Sequence, residues 1–143
     1  MSYTKILIHS IWVTKNRQPY LHKNIRQQVF DHIKTKSKEK GIYIDSINGF
    51  AEHVHCLISL SRKQNIADCL HLIKGESSHW INKEKLTGMK FSWQDDYYAV
   101  SVGISQLNNL RSYIRNQEQH HKKRSFMQEE EKFLKIYDFL ERI

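Results

Sequence analysis

Residues 42–60, IYIDSINGFAEHVHCLISL, predict two β-strands and the short connection between them. Apolar, β-branched and aromatic residues are typical of strands over Ile42–Phe50 and His53–Leu60, and turn-forming residues occur around Gly49–Glu52. These two strands form the middle of the predicted fold, and the segments on either side are interpreted relative to them.

The flanking segments supply two more strands and several helices. We expect a strand over residues 3–14, a strand or bent pair of strands over residues 91–102, and helices over residues 21–40, 66–84, 106–121 and 126–140. Ser105 is a suitable N-cap for the third helix, and an acidic first turn suits the start of the fourth. The order β-α-β-β-α-β predicts an α+β, ferredoxin-like (split βαβ) fold with an extra C-terminal helical segment. In such a fold one antiparallel sheet carries helices on one face, and we expect the other face to be open.

Composition narrows the classes of function. The 143 residues predict a single domain over residues 1–143. The chain has 23 Lys and Arg residues and 15 Asp and Glu residues, so its net charge is +8. This positive charge favours a polyanionic partner, first of all a nucleic acid. No apolar run is long enough for a membrane span and no secretory signal is evident. Two cysteines without zinc-ligand spacing fit free thiols, so we expect a cytoplasmic protein.

The triplet His53-Val54-His55 is the first candidate for chemistry. Because side chains alternate along a strand, both imidazoles share one face, while the apolar residues at even positions from 54 to 60 share the other. Two neutral imidazoles supply most of a metal site. The alternative is a pair of ordinary surface histidines.

Tyr113 and Gln117 are the second candidate pair. They lie four residues apart, so a helix presents them on one side. Packing and solvation are the alternative roles for this pair. Basic residues around them and in two other segments are candidates for DNA binding, against ordinary surface charge. These candidates are Lys15, Arg17, Lys74, Arg115, Lys122 and Lys123.

Together the motifs resemble the single-tyrosine HUH transposases, the insertion sequence 200-like transposases that include REP-associated tyrosine transposases. His53-Val54-His55, preceded by Glu52, matches the His-hydrophobic-His motif, and Tyr113 with Gln117 matches the nucleophile and the glutamine that follows it. The resemblance extends over about residues 3–140. Further matches are HSIWVTK at 9–15, LIKG at 72–75, YAVSVG at 98–103 and HHKKRSFMQE at 120–129.

The resemblance implies a metal-dependent DNA transposase or single-strand endonuclease of mobile elements. Tyr113 would be the nucleophile that forms a 5′-phosphotyrosine intermediate, which conserves the phosphodiester bond for rejoining. His53, His55 and Gln117 would bind Mg²⁺ or Mn²⁺. The expected partners are single-stranded DNA with hairpins and a second copy of the chain, with Tyr113 acting in cis or in trans.

Three other interpretations stay open. One is a domesticated relative that cleaves palindromes without mobilising itself. Another is a non-catalytic ferredoxin-like module that binds single-stranded DNA or RNA, in which Tyr113 only packs. The third is a metallohydrolase that uses water as its nucleophile. The sequence also leaves open what deprotonates Tyr113, since a phenol has an ordinary pKa of about 10.

Overall fold

The predicted order of strands and helices is confirmed. The structure, a computed structural model, describes residues 1–122 and 124–136. Short 3₁₀ turns occur at Lys15–Arg17 and Ile104–Gln106. The strands and helices are β1 Ile6–Thr14, α1 Lys23–Glu39, β2 Tyr43–Gly49, β3 His53–Leu60, α2 Ile66–Lys83, β4 Trp93–Ser101, α3 Leu107–Arg115, α4 Gln117–His121 and α5 Phe126–Ile136.

The four strands form one antiparallel sheet in the order β2-β3-β1-β4. This is the order of the ferredoxin-like fold, so the predicted fold class is confirmed. Strands β3 and β1 lie in the centre, where Ile11 is opposite His55 and Val13 is opposite His53. The central position of β3 explains why seven of its eight residues are buried.

Helices α1 and α2 cover one face of the sheet and enclose the main core. The even-numbered residues of β3 point into this core, as their alternation predicts, and pack with Phe30, Ile33, Leu70 and Ile73 from the two helices. Trp12 and Trp93 are buried, and Trp80 packs at the margin of the core. Cys56 and Cys69 are buried free thiols.

The opposite face is not open, which corrects the sequence-based expectation. Helices α3, α4 and α5 cover it, and His53 and His55 have no exposed surface. The physical reason is that this face is partly apolar: Leu7 and Leu57 pack with Leu107 and Ile114 of α3. Burying those side chains draws the C-terminal helices over the histidines.

The predicted third helix is two helices. The chain leaves the α-helical conformation at Asn116, with φ −97° and ψ 27°, and α4 begins at the next residue. Asn48 of β2 stabilises this break, since its side-chain amide donates 3.0 Å hydrogen bonds to the carbonyls of Ile114 and Arg115. The predicted fourth helix is confirmed up to Ile136, and the rest of the prediction lies outside the described residues.

Over the described ranges, no helix combines the length and apolar character needed to cross a membrane.

Candidate active site

The His pair and the glutamine predicted as metal ligands lie together beneath the C-terminal helices. The rings of His53 and His55 are 5.1 Å apart, centre to centre, on the same face of β3. The helix break directs Gln117 towards them, so that its Oε1 lies 3.1 Å from Nε2 of His53. Gln117 is fully buried.

Tyr113 joins this group from the last turns of α3. Its ring packs edge-on against that of His55, with 5.5 Å between centres. The hydroxyl donates a short hydrogen bond to the carboxylate of Glu129 and lies 3.3 Å from Nε2 of His120. The four residues singled out in the sequence, from β3, α3 and α4, are therefore neighbours within one chain.

Glu129 of α5 is a central member of the site that sequence reasoning missed. Its Oε1 lies 2.6 Å from Nε2 of His55, and its Oε2 lies 2.8 Å from Nε2 of His121. The helix dipole alone favours an acidic residue in the first turn of a helix. The position of Glu129 in the sequence therefore did not indicate a role in the site. The available signal was spacing, because Glu129 and the buried Phe126 are three residues apart on one side of the helix.

The Nδ1 atoms of His53 and His55 also lie within hydrogen-bonding distance of neighbouring side chains. Nδ1 of His53 lies 2.6 Å from Oε1 of Glu52, and Nδ1 of His55 lies 2.9 Å from Nε2 of His9. Such contacts orient the rings and direct each Nε2 towards the centre of the site. The sequence motifs contained Glu52 and His9 without indicating these roles.

Burial sets the protonation of the inner histidines. Loss of solvent, reinforced by neighbouring imidazoles, lowers the pKa of His55 to about 4 and that of His9 to about 3. Both rings are consequently neutral at pH 7, and a neutral imidazole can offer a lone pair to a metal.

The site favours a protonated Tyr113 and an ionised Glu129. Burial raises the pKa of Tyr113, and the negative charge of Glu129 raises it further. Burial alone would raise the pKa of Glu129, but the close contacts of its carboxylate with the imidazoles of His121 and His55 outweigh this effect and keep that pKa far below its usual range. In this arrangement the phenol keeps its proton and the carboxylate is charged.

The donor set fits a divalent metal ion. Nδ1 of His53 donates to the carboxylate of Glu52, and its Nε2 lies 3.1 Å from the carbonyl oxygen of Gln117, so these two donor atoms are close enough to bind one cation together. Nε2 of His55 and Oε2 of Glu129 are buried without a hydrogen bond among the described residues, although each has a close neighbour. The ligand atoms of His53, His55 and Glu129 lie within 4.8 Å of one another.

A cavity of about 230 Å³ opens beside these residues. Tyr113, His55 and Glu129 form part of its wall, and Arg124 and Lys132 contribute positive charge. The cavity thus brings the phenol of Tyr113 and two basic side chains to the same opening.

The predicted DNA-binding residues differ in how available their charges are. Lys15, Arg115 and Lys122 are exposed, and Lys123 lies outside the described residues. Arg17 forms a 2.6 Å ion pair with Glu130, which also accepts a hydrogen bond from Tyr98.

Lys74 has a structural contact of its own. Its ammonium donates hydrogen bonds of 2.6 Å and 2.9 Å to the backbone carbonyls of Gln94 and Asp95, which joins α2 to β4. Burial lowers the pKa of this lysine, against the opposing effect of nearby aspartates. Its predicted role in DNA binding stays a prediction.

Comparison with known proteins gives a consistent result. A family model described as "Transposase IS200 like" matches residues 2–117. The ISDra2 transposase TnpA of Deinococcus radiodurans is 26% identical over 115 residues, which are 76% of this chain and 81% of that protein.

Two solved structures share the fold. One is a crystal structure from Deinococcus radiodurans R1 assigned as a transposase, with a TM-score of 0.64 and 21% identity over 81% of this chain and 93% of that one. The other is a REP-associated tyrosine transposase bound to a REP hairpin, with a TM-score of 0.64 and 20% identity over 85% of this chain and 72% of that one.

Proposed function

We propose a reaction for this site on the premise that the chain belongs to the family of IS200-like transposases. Tyr113 is the nucleophile with which the transposase cleaves and rejoins single-stranded DNA. The observation that carries this proposal is the convergence of the Tyr113 hydroxyl, the two histidines and Gln117 in one buried site beside a cavity with basic residues.

The chemistry is a transesterification. The phenolic oxygen of Tyr113 loses its proton and attacks the phosphorus, the bond from phosphorus to the 3′ oxygen breaks, and the leaving oxygen takes up a proton. The 5′ end stays attached to the tyrosine, and attack by another 3′ hydroxyl reverses the step and joins new ends. Because each step exchanges one phosphate ester for another, no nucleotide cofactor is needed.

His53, His55 and Gln117 are the proposed ligands of Mg²⁺ or Mn²⁺. Such an ion, when bound, supplies polarisation of the scissile phosphate and neutralises part of its charge. The protein's own contribution is orientation: hydrogen bonds to Glu52 and His9 fix both rings on a central strand, and burial excludes bulk water.

The proposed substrate is single-stranded DNA that carries hairpins. The net charge of +8 supports binding of a polyanion. A structural neighbour is a REP-associated tyrosine transposase bound to a REP hairpin, which is in keeping with a folded-back strand as the ligand. The proposed contacts with the DNA backbone are the six basic residues named from the sequence, Lys15, Arg17, Lys74, Arg115, Lys122 and Lys123.

We also propose a homodimer, since exchange of two DNA ends requires two cleavages and each chain has a single nucleophile. In the arrangement described above, Tyr113 acts in cis. A trans arrangement would require α3 to leave β2, where Arg111 pairs with Asp45 at 2.6 Å and Asn48 binds the end of the helix. These contacts favour cis.

A covalent adduct assay tests the nucleophile. Wild-type protein, Tyr113→Phe and Tyr43→Phe are incubated with a panel of hairpin-bearing single strands and Mn²⁺, then separated on a denaturing protein gel. Tyr43 is 60% exposed on β2 and serves as the matched control. We expect an adduct with the wild type and Tyr43→Phe and none with Tyr113→Phe.

Two outcomes would contradict the proposal. Cleavage that survives in Tyr113→Phe indicates hydrolysis by water. Binding of the hairpins without any adduct in the wild type indicates a binding module that performs no chemistry.

A further inference from the structure

We propose that Glu129 is a carboxylate ligand of the divalent ion, so that helix α5 supplies part of the metal site. The inference rests on the proposed function for the presence of the ion, and it adds a charged ligand to the three neutral ones. Helix α5 lies outside residues 2–117, the range that the family model matches. The ligand role of Glu129 is argued from the geometry of this chain.

The position of the carboxylate is the first argument. Its Oε1 is 2.6 Å from Nε2 of His55, and its Oε2 is 3.8 Å from Nε2 of His53. The third candidate ligand, Gln117, has its Oε1 3.1 Å from the same nitrogen of His53. Both imidazoles and both side-chain oxygen groups are thus directed at one small volume.

Unsatisfied buried atoms are the second argument. Glu129 is only 5% exposed and His55 is fully buried. Nε2 of His55 and Oε2 of Glu129 have no hydrogen bond within the described part of the chain, even though a neighbour is within 2.8 Å of each. Buried polar atoms in proteins are nearly always satisfied, and a shared cation would satisfy both of these.

The chemistry of the ion is the third argument. Two imidazoles and an amide carry no charge, whereas Mg²⁺ and Mn²⁺ favour oxygen ligands and usually bind at least one carboxylate. Among the described residues, Glu129 has the carboxylate nearest to Nε2 of His55, at 2.6 Å. It also accepts the hydroxyl of Tyr113, so one side chain would link the ion, the nucleophile and α5.

Metal binding, measured without DNA, tests the assignment. The free Mn²⁺ signal in electron paramagnetic resonance gives the Kd for wild-type protein, Glu129→Gln and Glu131→Gln. Glu131 is two residues further along the same helix and 68% exposed, and among the described residues its one ion pair is with Lys135 at 3.4 Å, so it is the matched control. We expect Glu129→Gln to raise the Kd by about tenfold or more and Glu131→Gln to leave it unchanged.

A Kd for Glu129→Gln within about twofold of the wild-type value, or below it, would overturn the assignment. Far-UV circular dichroism verifies that each variant is folded. Should Glu129→Gln fail to fold, Glu129→Asp decides, because it keeps the charge but withdraws the oxygens by one methylene. The same rise in Kd is then expected, and an unchanged Kd refutes the proposal.

The adduct assay separates this inference from the proposed function. A wild-type adduct together with an unchanged Kd in Glu129→Gln removes the ligand role and leaves the transposition chemistry intact. A raised Kd in Glu129→Gln with no adduct from the wild type on any hairpin keeps the ligand and removes the chemistry.

Discussion

Asn48 is the residue whose replacement most directly tests how the tyrosine helix is held. It lies opposite His55 in the register of β2 and β3, and its amide donates to the last carbonyls of α3. Those carbonyls have no partner within the helix. Asn48→Asp keeps the size and shape of the side chain but, at neutral pH, replaces the N–H donor by a charged acceptor.

The expected loss follows from the two hydrogen bonds. Each contributes about 0.5–1.5 kcal/mol, so their removal should lower the free energy of unfolding by about 1–3 kcal/mol. For a domain of this size, 1 kcal/mol corresponds to roughly 3 °C, so the Tm should fall by about 3–9 °C. Since Gln117 begins the helix after the break, the variant should also bind Mn²⁺ more weakly.

Thermal unfolding followed by circular dichroism measures the effect. Asn109→Asp is the control, because Asn109 is an exposed asparagine on α3 itself. A Tm for Asn48→Asp within about 1 °C of the wild type would show that the helix end does not depend on this amide. A loss of the same size in Asn109→Asp would show that added negative charge, rather than the missing donor, is responsible.

Three further perturbations have defined outcomes. Lys74→Met should lower the free energy of unfolding by about 1–2 kcal/mol in urea titrations, because it removes a half-buried charged donor to two backbone carbonyls, and an unchanged urea midpoint would refute this. The hydrogen bond from Arg111 holds the pKa of Asp45 below its ordinary value of 3.8, against the opposing effect of burial, so this bond stabilises the fold at pH 7 and is lost as the pH falls below about 4. The Tm difference between wild type and Asp45→Asn should therefore shrink between pH 7 and pH 2, and a constant difference would contradict the assignment. A Cβ at Gly49 would lie 2.1 Å from the backbone oxygen of His53, so Gly49→Ala should lower the free energy of unfolding by about 1–3 kcal/mol, and an unchanged urea midpoint would show that the connection yields freely.

The features that could be predicted from the sequence are those with a local cause. The bounds of β3 were predicted correctly, since alternation and β-branched residues define them within the strand itself. The ferredoxin-like fold class followed from the succession of strands and helices along the chain. Likewise, the candidate site residues on β3, α3 and α4 came from short motifs, and the structure brings them together.

The features that were missed depend on distant contacts. The break after α3 is stabilised by a hydrogen bond from Asn48, which is more than sixty residues away in the sequence. The helical periodicity of residues 106–121 does not indicate this bond. The covering of the second sheet face depends on how α3 docks onto Leu7 and Leu57. Glu129 has an ordinary helix-terminal explanation, so its burial against the histidines became visible only with the helix in place.

The tethered rings of His53 and His55 have a thermodynamic consequence. Imidazoles on a flexible loop would lose rotational freedom when an ion binds, and that entropy would subtract from the affinity. Here the hydrogen bonds to Glu52 and His9 and complete burial immobilise both rings as the chain folds. The ordering entropy therefore belongs to folding rather than to binding, and the ion meets a preorganised pair of donors.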